Sequence, residues 1–483
     1  NILFSYMGAP FTPPQISKIA IANGGFPAGF VLSDDHIFGG QNSSPGSSLS
    51  IIFRNGDQAH QLGCIIDSKF NTGWMPGDIK GAFLADTYDT VLVGEEYVSS
   101  GSFDDPAQWT ASGESTVSGG TLNVADGDVN ETIFNSGGTP FPRGKTALVT
   151  FDIINADANY GVRACLVHPS TGSILSTLGG TYYTASGNYA VTVTETPVVD
   201  WVVGFQRIAS HAGTLKIDNV SVIPAVADRS VNSNALIVNG TITCSPVAEG
   251  ADLVAYSGFS ASNYLEQPYN PALNFGAGDF SIMGWVKFTG TPNMGFLHRE
   301  SVFNGGSGFG LYPTSGQIAA QVGGTATLTD GKRYDDGTWK HLVLLRRSGQ
   351  AYLFVNGSQV WAAARVGSVT DPNATLRLGA RHDGNALTTG SLALWRISDT
   401  APTADRVAQI YADERKLFHP GAKCTLYGTS DVVTALAHDP KTNLLHVGTS
   451  QGRSVFDGLV RVANTEIPVG SAIAALNGLI VEE

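Results

Sequence analysis

The stretch DFSIMGWV, residues 279–286, decides how this chain is read. Phe280, Ile282 and Gly284 alternate with Ser281, Met283 and Trp285. That period of two puts one apolar face on a β-strand. Residues 339–344 (WKHLVL) make a second strand, and residues 351–358 (AYLFVNGS) a third that runs into Asn356 and Gly357, the signature of a type I′ hairpin. Further strands are expected at 374–379 and 390–397. Short strands spaced by turns predict a two-sheet sandwich. The one convincing helix follows at once. Thr403 is its N-cap, Asp405 lies in its first turn, and Arg415 and Lys416 lie in its last. Val407, Ile410, Tyr411 and Glu414 share a face, so the helix is expected to dock on the sandwich.

Composition agrees with this reading. The chain has 483 residues, 58 glycines, 14% charged residues and a formal net charge of -13. An ordinary soluble domain is about 25% charged. The surface is therefore Ser, Thr, Asn and Gly, which suits short strands and tight turns better than long solvent-facing helices. The predicted class is all-β, with tandem β-sandwich (jelly-roll) domains. Phosphate recognition needs clustered Lys and Arg. The 28 basic residues are spread thinly, which excludes a nucleic-acid role. Apolar runs such as 51–53 and 342–345 fall far below the roughly 20 residues needed to span a bilayer, so no membrane insertion is expected. Cys64, Cys165, Cys244 and Cys424 show no metal or CxxC spacing and are expected as buried thiols. The chain begins Asn-Ile-Leu-Phe without a signal-peptide pattern. Either its start was removed or it is part of a longer polypeptide.

Outward from residues 279–286 the chain divides into blocks: a small N-terminal β domain at 1–93, a sandwich at 94–224, a linker at 225–250, a sandwich at 251–418 and a β segment at 421–483. The 94–224 block opens on Gly101, Ser102, Phe103 and Trp109. It closes on a run where Leu215, Ile217, Val220 and Val222 are apolar but Asp218 and Asn219 break the period, which predicts a bulge. The 421–483 segment reads as one blade of a β-propeller. A lone blade cannot protect its own edges, so its core is expected to be completed by other copies of the chain, with oligomerisation as its role.

These motifs carry resemblances. The Phe-Ser-x-x-Gly-Trp-Val strand, the Trp-x-His strand, the Tyr-x-Phe-Val-Asn-Gly hairpin and the Gly-x-x-Ala-x-Trp-Arg-Ile strand occur in the order of a laminin-G-like, concanavalin A-like domain, which block 251–418 resembles. Block 94–224 resembles carbohydrate-binding-module jelly rolls. The end of the chain, residues 477–483, and the stretch 76–87 look similar to segments of bacteriophage tail proteins. Taken together, the chain resembles a phage tail-fibre or tail-tip protein. The resemblance implies a place in the virion tail, other tail proteins as neighbours, a bacterial surface glycan or protein as target, a homotrimer and no enzymatic activity. Two alternatives stand beside it: an envelope-glycan depolymerase and a passive virion spacer.

Candidate chemistry is sparse. Residues 448–452 match Gly-x-Ser-x-Gly, but they lie between two strands and no His follows Ser450, so they read as a β-turn. The glycine-rich 305–310 stretch opens no helix and reads as a loop. A glycosidase needs paired carboxylates facing one groove. The doublets Asp34 and Asp35, Glu95 and Glu96, Asp104 and Asp105, and Asp335 and Asp336 read as turn formers, and no i, i+2 acid pair is found in the central strands of 251–418. Asp126, Asp128 and Asn130, with Glu131, could hold Ca²⁺, although they lack the full spacing of an EF-hand loop. Calcium is also implied by the resemblances, and no other cofactor is expected. Sugar binding uses aromatic faces and planar polar groups. The candidates are Tyr182 and Tyr183, one of which must face outward, and the loop of Arg381, His382, Asp383 and Asn385.

Overall fold

The structure is a computed structural model that describes residues 30–32, 36–39, 49–54, 62–85, 87, 89–111, 113–124, 132–156, 161–178, 182–193, 198–208, 215–230, 232–290, 295–301, 307–323, 325–328, 331–439 and 441–483. These are nearly all β, with one α-helix, Ala404–Glu414, among them.

The first sandwich opposes a four-stranded sheet (Thr132–Phe134, Val202–Ile208, Gly161–Val167, Ile174–Thr177) to a sheet centred on Ala147–Ala156 and Leu215–Val226. Trp109, Phe141, Phe151, Trp201 and Phe205 fill the space between them. Leu215–Val226 carries the expected bulge. Thr150 faces Ser221 and Asp152 faces Asp218, so one extra residue is accommodated, and Asn219 takes φ 51° to do it.

That strand also joins the two sandwiches. Its last residues, Ala225 and Val226, pair with Ile237 and Leu236, so a single 12-stranded sheet runs from the first sandwich into the second. The 225–250 stretch is therefore not a linker. Leu236–Asn239 and Thr241–Pro246 are strands of the two facing sheets of the second sandwich, with Gly240 (φ +62°) turning the corner between them. Asn239, Thr241, Thr243 and Ser245 sit at outward strand positions, and Ser230, Asn232, Ser233 and Asn234 lie in the turn before them, which is why the composition imitates a linker.

The second sandwich places Phe280–Phe288 at the middle of a nine-stranded sheet, between Lys340–Arg347 and Gly390–Ser398. Asn356 (φ 48°) and Gly357 (φ 78°) form the expected two-residue turn joining Gln350–Val355 to Ser358–Ala364. Phe280, Ile282, Val286 and Trp395 point into the core shared with the opposite sheet. Met283, Trp285, Val343, Leu345 and Phe354 point the other way and are buried as well. The strand reading of residues 279–286 holds, but the expectation of a single apolar face does not, because this sheet is covered on both sides. The cover comes from the chain itself: Leu62–Ile66, Trp74, the helix through Val407 and Ile410, and the C-terminal segment through Val433, Leu445, Val447 and Phe456. Each large apolar side chain buried here is worth about 1.5–3 kcal/mol.

Two further expectations change with this second core. Residues 62–93 do not form a module of their own, since Ile79–Phe83 pairs with Gly390–Ser398 and Val91–Val93 pairs with Thr241–Pro246. The C-terminal segment is a blade-like four-stranded meander, Val433–Asp439 to Val460–Thr465, followed by the hairpin Ile473–Leu476 and Leu479–Glu482. Its buried face packs against other parts of this same chain, while Leu476, Leu479 and Val481 of the hairpin are exposed. The Gly448 to Gly452 motif is the turn between Leu444–Thr449 and Gly452–Asp457, as expected. The helix begins at its predicted cap, the Thr403 side chain accepting from Arg406 N. Arg415 and Lys416 fall in a following 3₁₀ turn. The four cysteines are buried thiols, none in a disulfide.

His341 is fully buried in this second core between Trp285 and Tyr411, 5.2 and 6.2 Å from their ring centroids. Neither ring nitrogen has a hydrogen-bond partner. Burial, reinforced by the nearby Arg396 charge, holds its pKa well below 6.5. The unfolded chain therefore takes up a proton below about pH 6.5 that the folded chain refuses. The stability tied to this residue is complete above that pH and is lost as pH falls, by up to about 1.4 kcal/mol per pH unit. His341→Phe removes an unsatisfied buried polar group. It is expected to raise the urea midpoint at pH 7 by the equivalent of about 1 kcal/mol and to flatten the acid limb of the stability profile. Parallel pH profiles of the two proteins would refute this.

Candidate functional site

With one sheet of the second sandwich covered on both faces, the outer face of the other sheet is where a ligand can be met. Four of its strands define the region: Tyr264–Gln267, Thr375–Leu378, Leu297–Glu300 and Phe309–Thr314. Leu265, Leu376, Leu378, Leu297, Phe309 and Leu311 point into the core. By strand alternation the outer face receives Tyr264, Glu266, Thr375, Arg377, His298, Glu300 and Tyr312. Register aligns several of them in one row across the strands: Glu266 faces Arg377, Arg377 faces His298, and His298 faces Gly310. Gly310 is needed in that row, because a Cβ there would lie 2.3 Å from the His298 ring.

The polar groups are interlocked. Arg377 Nε donates to Glu266 Oε2 at 2.5 Å, and its guanidinium lies 4.5 Å over the Tyr264 ring. Thr375 Oγ1 donates to the same Glu266 oxygen at 3.2 Å and meets His382 Nε2 at 2.8 Å. Deeper in the sheet, His298 Nε2 lies 2.9 Å from Glu300 Oε1, and Gln321 Nε2 donates to Glu300 Oε2 at 2.8 Å. His298, Glu300 and Gln321 have no exposed surface, whereas Glu266 and Arg377 keep about a fifth of their side chains open. The face thus has a buried polar floor and a partly open rim of Tyr264, Glu266, Thr375 and Arg377. A rigid array of planar donors and acceptors beside an aromatic ring is the chemistry that grips sugar hydroxyls and C–H faces.

The sequence candidates divide between the two sandwiches. The loop of Arg381, His382, Asp383 and Asn385 borders this rim, closed by Arg381 N donating to Asn385 O at 2.8 Å. Arg381 is buried, lies 5.4 Å over Tyr312 and forms a two-point ion pair with Asp383. Burial alone would raise the Asp383 carboxyl, but Arg381 and the Asn385 contacts overcome it and bring it down to about 2. For His382, burial dominates, helped by Arg377 and His298, and its pKa falls to about 3. It is neutral at physiological pH. Asn385 is exposed. Tyr182 and Tyr183 belong to the first sandwich and are not brought to this face. Tyr182 is half exposed, with Arg163 5.6 Å from its ring, while Tyr183 packs on Phe151 and Tyr189. One tyrosine of the pair faces outward, as alternation requires.

Asp126, Asp128 and Asn130, the calcium candidates, lie outside the described residues. Among the described residues no group of three or more His, Cys, Asp or Glu could hold a metal ion, and no helix is long and apolar enough to cross a membrane. Asp105 caps a 3₁₀ turn, Glu96 accepts from Ser221 and Val222, and Asp336 accepts from Thr338 and Lys340, while Asp34 and Asp35 lie outside the described residues. The floor residues escape sequence reasoning because Leu297–Glu300 is only four residues long. Its partners arrive from strands far away in the chain. The available signal was the i, i+2 spacing of His298 and Glu300, which a search for two acids passes over.

The second sandwich is similar to concanavalin A-like domains. Residues 259–408 match the Laminin_G_3 family, described as the concanavalin A-like lectin/glucanases superfamily. No curated protein matches the chain. Among solved structures, the binding domain of Paraclostridial mosquitocidal protein 1 is 16% identical with a TM-score of 0.31, over 38% of this chain and 49% of that one. Domain 4 of the extracellular arabinanase AbnA from Geobacillus stearothermophilus, solved with arabinotriose, is 17% identical with a TM-score of 0.28, over 36% of this chain and 82% of that one. The binding domain of botulinum neurotoxin serotype G is 12% identical with a TM-score of 0.32, over 51% of this chain and 68% of that one. This chain spans about half the length of the first of these.

Proposed function

We propose that this chain is a glycan-binding attachment protein whose second sandwich holds saccharide on the rim of Tyr264, Glu266, Thr375, Arg377 and His382. The observation that carries the reading is the interlocked polar row at that sandwich's partly open rim, in a region similar to lectin-type domains. The finer role we propose is that of a bacteriophage tail-fibre or tail-tip component, presenting its sandwiches as a homotrimer to a bacterial surface beside other tail proteins. Repeated copies would offset a low affinity per site.

The reading makes the protein a binder rather than a depolymerase. Glu300 has a partner at each of its oxygens and is fully enclosed, so a glycosidic bond cannot reach it. On a glycan array the chain is expected to bind bacterial envelope saccharides. Arg377→Ala is expected to weaken that binding about tenfold or more, since hydrogen bonds from charged groups are worth about 1.5–3 kcal/mol. A blank array would favour a spacer role, and release of reducing ends from host polysaccharide would favour the enzyme. Light scattering tests the trimer.

The low pKa of His382 gives a further expectation. An ordinary histidine changes charge between about pH 5 and 8, but His382 stays neutral throughout that range. Affinity measured by calorimetry is therefore expected to be flat there. A tightening or loss centred near pH 6.5 would contradict the arrangement described for the rim.

A further inference from the structure

We infer a second ligand site, for a single neutral pyranose ring, in the cavity where the two sandwiches meet. The cavity has a volume of about 220 Å³ and is lined by both sandwiches. Its apolar wall includes Leu92, Tyr97 and Phe141, and its polar side includes Asp89, Lys145 and Thr146. The volume is of the order of one sugar ring. Tyr97, half-buried and packed edge to face on the buried Phe141 with centroids 4.8 Å apart, offers aromatic surface to ring C–H groups.

Lys145 and Asp89 form an ion pair in this wall, the lysine 48% and the aspartate 13% exposed. Together they present donors and acceptors side by side with no net charge, which suits adjacent hydroxyls. Arg229 also lines the cavity, and its guanidinium is stacked 3.9 Å over the Phe70 ring. The walls are fixed by main-chain hydrogen bonds from several directions: Gly94 N to Gly240 O at 2.7 Å, Tyr97 N to Val222 O at 3.0 Å, Ala225 N to Thr146 O at 3.0 Å, and Arg229 N to Ala82 O at 2.8 Å. A ligand entering such a preformed space costs little ordering of the protein. Small-molecule sites favour module junctions of this kind. This site shares no residue with the rim around Arg377, so it stands or falls independently of the function proposed above.

The test uses the full chain carrying Arg377→Ala, which weakens the rim about tenfold or more, titrated by calorimetry with neutral hexoses, 6-deoxyhexoses and N-acetylhexosamines at millimolar concentration, and with the corresponding uronic acids. At least one neutral sugar is expected to bind. Adding Lys145→Met is expected to weaken it about tenfold, as for loss of a charge-assisted hydrogen bond. Adding Val93→Trp, a change at a 40% exposed lining residue, is expected to abolish it by filling the space while circular dichroism stays unchanged. The inference is overturned if no neutral sugar binds, if only the uronic acids bind, or if binding survives Val93→Trp.

Discussion

Glu414→Ala is expected to destabilise the fold by about 3–5 kcal/mol, the cost of stripping one partner from a buried ion pair. Glu414 ends the helix and is fully buried. Its Oε1 lies 2.9 Å from Arg396 Nη2 and accepts from Trp74 N at 2.8 Å, while Oε2 accepts from Trp285 Nε1 at 2.7 Å. One carboxylate therefore ties together the helix, the strands Phe280–Phe288 and Gly390–Ser398, and the segment before Met75. Alanine would leave the Arg396 charge enclosed without a counter-ion and two N–H donors unsatisfied. The measurement is the urea midpoint. The double variant Glu414→Leu with Arg396→Met, which removes both charges, is expected to recover much of the loss. If Glu414→Ala unfolds within about 1 kcal/mol of the parent, the carboxylate is not the tie described. Saccharide binding by the folded fraction should be unchanged, because the proposed rim lies on the opposite sheet.

What was legible in the sequence was whatever leaves a local trace. The type I′ turn at Asn356 and Gly357, the cap at Thr403 and the bulge at Asn219 each follow from a few neighbouring residues, and each is present. The boundaries were harder because they depend on which strand pairs with which. Ala225 and Val226 look like the end of a domain, yet they hand one sheet on to the next sandwich. The blade looked incomplete because its cover, Leu62–Ile66 and the helix, comes from distant parts of the chain. The candidate site shows the same division. The 381–385 loop could be found as a cluster of polar residues after a strand. The row of Glu266, Arg377 and His298 exists only through register between strands far apart in sequence. No local pattern announces it.

Gly284→Ala is the sharpest test of the stretch that decided the fold, with an expected cost of about 3 kcal/mol, the upper end for overpacking a dense core. Gly284 lies between Ile282 and Val286, whose side chains enter the main core. A methyl group there would meet Trp395 ring atoms at 2.4, 2.6 and 2.8 Å. The indole lies there because the partner strand is bulged. Met283 faces Arg396 while Trp285 faces Ala393, and Leu394 adopts φ 54° to absorb the extra residue. The glycine of Phe-Ser-x-x-Gly-Trp-Val and the tryptophan of Gly-x-x-Ala-x-Trp-Arg-Ile are therefore two halves of one contact. Trp395 is 1% exposed and walled by core side chains, so it has little room to retreat. If this is correct, Trp395→Phe, costly alone through its cavity, should make the second substitution cheaper. The double variant is then expected to lose less stability than the sum of the single losses, by about 1 kcal/mol or more. Strict additivity of the urea midpoints would mean that the ring and the missing side chain do not compete for the same space.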